Sequence, residues 1–181
     1  MNVIGLCGSS GSGKTTLAEG LIAALKAAGC RVSVIKHAHK HFDIDRPGKD
    51  SYRHREAGAF EVLVANNHRL ALMREFETEA EPSVHQLIAE LADLSAVGFE
   101  HWVIVEGFKH ADLPKVEVWR AAHGRPLMFP NDPFVVAVAS PDPLPVATGL
   151  PVLDLNDPAA IAAFLRLDAA RYDYVPPELC S

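Results

Sequence analysis

Gly8-Ser9-Ser10-Gly11-Ser12-Gly13-Lys14-Thr15-Thr16 decides how the rest of this chain is read. The spacing from Gly8 to Gly13-Lys14-Thr15 is that of a phosphate-binding loop, set between a strand and a helix as such a loop requires. Before it, Val3 to Cys7 is a short apolar run that suits a buried parallel strand. Behind it, Leu17, Leu21, Ile22 and Leu25 share one helical face, and Gly29 stands where the helix should stop. Glycines let the main chain curl until successive N–H groups point at one anion, and the helix start adds unpaired N–H groups and a positive dipole end. Lys14 is expected to neutralise β- and γ-phosphate charge, and the Thr15 hydroxyl to ligate magnesium. Ser9, Ser10 and Ser12 are too small to crowd a nucleotide, and Thr16 completes the expected binding set with Gly8, Gly11 and Gly13. A glycine-serine turn with no ligand would match the spacing, but not the strand, the helix and Thr15 together.

Working outward, Arg31 to Lys36 is a second β-branched run and completes a β-α-β unit. Trp102-Val103-Ile104-Val105-Glu106-Gly107 is an apolar strand that delivers a carboxylate at its C-terminal end, where ligands lie in open α/β sheets. Glu106 is expected to hold the magnesium shell or orient an attacking water, and Gly107 to let the backbone approach the γ-phosphate. The plainer alternative is a solvated glutamate in a strand-end turn. Lys115 to Trp119 alternates, and Phe134 to Ala139 is another continuous apolar strand. Ser83 and Gln86 form a capping box before Val84, Leu87, Ile88 and Leu91. Asp157-Pro158 opens a last helix with Ile161, Phe164 and Leu165 inward. Phe60 to Ala65 and Arg69 to Met73 flank Asn66-Asn67-His68 and read as a hairpin. The expected fold is therefore α/β, a three-layer P-loop arrangement with a mainly parallel sheet, helices on both faces and an inserted β-hairpin. It is expected to form a single domain over residues 1–181, loose from about residue 168 onward.

Acidic residues outnumber basic ones by 23 to 17 for a net charge of -6, which gives no general electrostatic reason to bind nucleic acid. No apolar run approaches the about 20 residues of a membrane span, and the N-terminus lacks the basic start of a signal peptide. Cys7, Cys30 and Cys180 are odd in number and form no C-x-x-C, as reduced thiols do. A cytoplasmic protein with neither membrane nor nucleic-acid partner is expected.

Lys36-His37-Ala38-His39-Lys40-His41-Phe42-Asp43-Ile44-Asp45 and the following Pro47-Gly48 read as a long polar loop, of the length that is usually functional or disordered. Three histidines at alternate positions would suit a metal in an extended segment, but no cysteine lies near them. The expectation is a switch-like loop that brings Asp43 or Asp45 to magnesium and Lys49 to phosphate or to a partner's substrate. A short helix follows from Ser51 to Ala57.

Five segments occur together and in order: Gly8 to Thr15, Lys36-His37, Asp43-x-Asp45-x-Pro47-Gly48-Lys49-Asp50-Ser51, Ala57-Gly58-Ala59 and Val105-Glu106-Gly107-Phe108-Lys109. With them the chain resembles the molybdopterin-guanine dinucleotide biosynthesis adaptor family, MobB, as far as about Leu165, and Asp154-Leu155-Asn156-Asp157 also suits it. The resemblance implies a homodimeric protein that binds GTP with Mg2+ and is a weak GTPase at most. It implies a partner, the molybdenum cofactor guanylyltransferase that joins GMP to molybdopterin, and leaves open whether molybdopterin touches this chain. It places the phosphate loop at Gly8 to Thr15, the strand-end acid at Glu106, and the loop groups at Asp43, Asp45, Lys49 and Asp50. Lys36, His37 and Lys109 fall inside the matching segments. On this basis Lys14, Glu106 and Asp45 are the catalytic candidates, and Thr15, Glu106 and Asp43 the metal ligands.

Guanine selection has less behind it. Many P-loop GTPases carry Asn-Lys-x-Asp after a late strand, where this chain has Ser140-Pro141-Asp142. The Asp142 carboxylate matches the adjacent donors of guanine, and Pro141-Asp142 reads equally well as a turn. Two other functions fit parts of the pattern. A nickel metal-insertion GTPase would use His37, His39 and His41, but the chain has no histidine-rich tail. A small-molecule kinase would need a lid, for which Arg53 and Arg55 are the nearest candidates.

Overall fold

A computed structural model describes residues 1–38, 42–78, 80–91 and 98–177. Along the chain run β1 (Asn2–Cys7), α1 (Lys14–Ala27), β2 (Arg31–Lys36), α2 (Asp50–Glu56), β3 (Glu61–Ala65), β4 (Leu70–Arg74) and α3 (Val84–Glu90). There follow β5 (His101–Glu106), β6 (Lys115–Val118), β7 (Val135–Ser140), β8 (Val152–Asp154) and α4 (Pro158–Leu167). They fall into two compact units, one of Met1–His37 with Ser83–Ser181 and one of Ala38–Pro82.

The first unit is built on a six-stranded sheet in the order β2-β5-β1-β6-β7-β8. Every neighbouring pair in it is parallel. One face is covered by α1 and α4, whose Leu17, Leu21, Leu25, Ile161 and Leu165 pack on Ile4, Trp102, Ile104 and Val116. The other face carries α3, with Val84 and Ile88 against Val3, Ile35, Val103 and Val105. This is the three-layer arrangement read from the sequence. Each fully buried Leu or Ile contributes about 1.5–3 kcal/mol, and β1, β5 and β7 are buried at every position, as a sheet covered on both faces requires. The capping box of α3 forms as expected, the Ser83 hydroxyl accepting from the Gln86 N–H and the Gln86 side chain from the Ser83 N–H. Asp157 caps α4 by accepting from the Ala160 N–H.

Three features depart from expectation. The alternation of β6 predicts one solvated face, yet all four of its residues are buried. Lys115 is accommodated by Asp132 at 2.7 Å and by the carbonyls of Lys109 and Ala111, and Glu117 by the N–H groups of Met128 and Phe129. Each buried charge is thus met by opposite charge or hydrogen bonds, the condition under which burial is tolerated. β8 is an additional strand, too short at three residues to leave a periodic signal. The expected loose tail is instead fastened as far as Tyr174. A 3-10 turn at Ala169–Tyr172 buries Tyr172 beside Trp102, Asp173 bridges to Asn2, and the Tyr174 N–H donates to the Met1 carbonyl.

In the second unit, β3 and β4 pair antiparallel with Leu63 opposite Leu72, one residue off the expected limits. The Asn66 side chain accepts from the N–H groups of His68 and Arg69 and so closes the turn. Leu63, Leu70 and Leu72 lie on one face of this ribbon and are all exposed.

α1 and α4 meet at Gly20, where a Cβ would stand 2.5 Å from the Pro158 ring. The ring cannot swing aside as a flexible side chain would. Gly20→Val is expected to lower stability by about 1–3 kcal/mol through overpacking, measured by urea unfolding; an unchanged midpoint would contradict this close approach.

Candidate phosphate-binding site

β1 ends at Cys7 and the chain turns at Gly8, whose φ of 130° is open to glycine alone. A Cβ there would also collide with the Val118 carbonyl of neighbouring β6. Gly11 and Gly13 take φ of 79° and 104°. No side chain caps α1 and no acidic residue lies in its first turn, so its leading N–H groups and positive end face the loop uncompensated. The Lys14 ammonium folds back onto the carbonyls of Gly8 at 3.0 Å and Ser9 at 2.7 Å. The Ser12 hydroxyl is fully buried within the loop and has no hydrogen-bond partner. Such an orphaned polar group is costly without a ligand. A glycine cradle, an orphan hydroxyl, a lysine resting on carbonyls and a bare helix start together fit a polyphosphate.

Glu106 closes the site from β5. Thr15 donates its hydroxyl to Oε1 at 2.6 Å, and Lys36 Nζ lies 3.5 Å from Oε2. The parallel register explains both neighbours: Glu106 stands beside Leu6 on one side and Lys36 on the other. His37 continues this packing. Its N–H donates to the Glu106 carbonyl and its ring lies 5.0 Å from that of Phe108. A Cβ on Gly107, at φ 106°, would stand 2.7 Å from the His37 Cβ. The Lys36-His37 and Glu106-Gly107-Phe108 segments are therefore two halves of one structure. A hydroxyl and a carboxylate oxygen at hydrogen-bond distance are hard donors of the kind magnesium takes. The Lys109 side chain is exposed, while its carbonyl is one of those that hold Lys115.

Asp142 turns its carboxylate inward along the chain, Oδ2 accepting from the Ala121 N–H at 3.0 Å. The residue before Ala121, Arg120, is not marked out by the sequence motifs. Its Nε donates to the Ser12 carbonyl at 3.0 Å. No sequence signal marks it, since its partner is a main-chain carbonyl.

Within the second unit, Asp43 and Asp45 gather on Arg55, 3.6 and 3.1 Å from Nη2, with Glu75 at 3.5 Å from Nη1. Tyr52 lies under the same guanidinium. Arg55 is thus engaged by acids, while Arg53 lies 4.0 Å from Asp50. Lys49 and Asp50 form the start of α2. His39, His41 and Cys180 lie outside the described residues. Among the described residues, no three His, Cys, Asp or Glu side chains are grouped so as to hold a metal ion, and no helix is long and apolar enough to cross a membrane. Burial, with Glu117 nearby, pushes the Cys7 thiol up to about 12, so the cysteine beneath the loop is not a thiolate at neutral pH.

The comparisons with known proteins agree with one another. A family model described as MobB, molybdopterin guanine dinucleotide synthesis protein B, matches residues 3–141. The chain is 44% identical over 157 residues to the molybdopterin-guanine dinucleotide biosynthesis adapter protein of Escherichia coli (strain K12), covering 86% of each. It is 42% identical over 165 residues to the adapter protein of the same description from Haemophilus influenzae, covering 91% of this chain and 87% of the other. Among solved structures, a MobB protein homolog from Bacillus stearothermophilus superposes with a TM-score of 0.62 at 26% identity, over 94% of this chain and 99% of that one. A molybdopterin-guanine biosynthesis protein B gives a TM-score of 0.64 at 23% identity, over 91% and 98%, which bears on the fold alone.

Burial also holds the Lys14 ammonium below the ordinary lysine range, partly countered by Glu106. A bound anion favours the protonated amine and raises its pKa again. Affinity for tripolyphosphate should therefore be full below the depressed pKa and fall, by up to about tenfold per pH unit, as pH rises through it. Calorimetric titrations across the alkaline range in buffers of different ionisation enthalpy should show proton uptake on binding; none at any pH would contradict the contact with Lys14.

Proposed function

The chain belongs to the molybdopterin guanine dinucleotide synthesis protein B family, and from that premise we propose that it is an adapter of this biosynthesis that works by holding GTP. The observation that carries the reading is the constellation at the start of α1: Lys14 bound to two loop carbonyls, Ser12 buried without a partner, and Thr15 on Glu106. Phosphate oxygens offer the Lys14 ammonium a stronger acceptor than neutral carbonyls. They also satisfy the open N–H groups of Gly13 to Thr16. Thr15 and Glu106 would hold Mg2+, which when bound neutralises phosphate charge. Lys36 is the fixed positive neighbour of the same carboxylate.

This arrangement favours holding over cleaving. Both oxygens of Glu106 are engaged, by Thr15 and by Lys36, which weakens it as a general base for an attacking water. A weak GTPase at most is the matching activity. The guanine preference and the guanylyltransferase as partner follow from the family. The polar set of the second unit, Asp43, Asp45, Lys49 and Asp50, belongs in this proposal to the surface offered to that partner. A homodimer is the proposed assembly. Its support is the β3–β4 ribbon, which exposes Leu63, Leu70 and Leu72 on one face and would be marginal alone.

Titrating GTP and ATP with and without Mg2+ tests the site. Lys14→Ala should weaken nucleotide binding by at least about tenfold, the size of a charge-assisted contact, and Glu106→Gln should reduce the gain from Mg2+. Wild-type affinity in Lys14→Ala would remove the assignment. For the dimer, sedimentation velocity of the Leu63→Lys, Leu72→Glu double variant should show a monomer that still binds GTP; a wild-type monomer would refute the assembly.

A further inference from the structure

β6 runs beside β1 with Glu117 opposite Cys7, so the chain leaving Val118 passes directly along the outside of the phosphate loop. Arg120 Nε reaches the Ser12 carbonyl at 3.0 Å, and the guanidinium nitrogens lie 3.6 Å from where a Gly13 Cβ would stand. The His123 ring lies 3.4 Å from the corresponding position on Gly11. The start of this segment is itself pinned, because the Ala121 N–H donates to Asp142 Oδ2. Asp142 is held rigid in turn: its N–H donates to the Ser140 hydroxyl, which donates to the Asp142 carbonyl. Among the described residues, no acidic side chain pairs with Arg120.

We propose that Arg120 and Asp142 form a bracket that shapes the phosphate loop from outside, with Arg120 as the positioning residue for triphosphate and Asp142 the post that holds it. The inference rests on the proposed triphosphate site. In a trans peptide the C=O and the following N–H point in opposite directions. A guanidinium that grips the Ser12 carbonyl from outside therefore turns the Gly13 N–H the other way. The planar, fixed donors of arginine suit this task, whereas a lysine brings the charge without the fork. A half-buried guanidinium with no carboxylate partner also leaves its positive charge beside the loop rather than cancelled. Asp142 acquires a role distinct from reading guanine, since one of its oxygens is committed to Ala121.

Tripolyphosphate, which has no base, separates the two roles. Dissociation constants for Mg-GTP and Mg-tripolyphosphate are measured on wild type, Arg120→Ala, Arg120→Lys and Asp142→Ala, with thermal unfolding as a check on the fold. Arg120→Ala is expected to weaken both ligands equally, by roughly tenfold, and to shift the 31P resonances of bound tripolyphosphate without lowering the melting temperature. Arg120→Lys, which guards against a misfolded alanine variant, should restore part of the affinity. Asp142→Ala should weaken both ligands to the same smaller degree. Unchanged tripolyphosphate binding in Arg120→Ala would overturn the bracket. So would an Asp142→Ala variant that loses GTP and keeps tripolyphosphate, because Asp142 would then be reading the base. A wild-type protein that binds neither ligand would take down the nucleotide site itself, and the bracket with it.

Discussion

The position of β1 between β5 and β6 is the constraint on which the first unit depends. Parallel strands have all their C-terminal ends on one edge, so the loop leaving β1 is flanked by the segments that leave its two neighbours. On one side this brings Glu106 to Thr15 and, through the next strand, Lys36 to Glu106. On the other it presses the Val118 carbonyl against Gly8 and leads Arg120 to Ser12. The loop owes its shape to both walls as well as to its own glycines. Those walls hold because the strands themselves are buried on both faces between α1, α4 and α3.

Charge is distributed to the same end. The chain carries a net -6, yet the loop has Lys14 and Lys36 beside Glu106 on one side and Arg120 on the Ser12 carbonyl on the other. A local excess of positive charge, facing a helix start with unpaired N–H groups, attracts a polyanion whatever the overall sign of the protein. Within the second unit three acids, Asp43, Asp45 and Glu75, converge on Arg55.

How much of this was legible in the sequence depended on range. Features set by residues close in the chain were readable: the glycine spacing of the loop, the Ser83–Gln86 box, the Asp157 cap, the apolar runs of β1, β5 and β7. Glu106 was readable because a carboxylate ending an apolar strand is a local pattern with a positional meaning. The burial of Lys115 and Glu117 was not, since it depends on Asp132 and on the Met128 and Phe129 N–H groups that only the folded loop supplies. Nor was the fastening of residues 169–174 to the first residues of the chain. Arg120 is silent in the sequence for the same reason. Its partner, the Ser12 carbonyl, is a main-chain atom with no signature in any side chain.

An adapter needs something different from a nucleotide than a hydrolase does. A hydrolase needs a base free to take a proton and a water placed for attack. A protein that offers a surface according to what it holds needs a rigid cradle and an acid already occupied. Here the acid is shared between a hydroxyl and an ammonium, and the loop is gripped from outside by a guanidinium that its neighbouring strand delivers. Both features cost catalytic freedom and add preorganisation, which converts binding energy into affinity instead of turnover. In the proposed reading, a site built this way would keep its triphosphate long enough for a partner to find it.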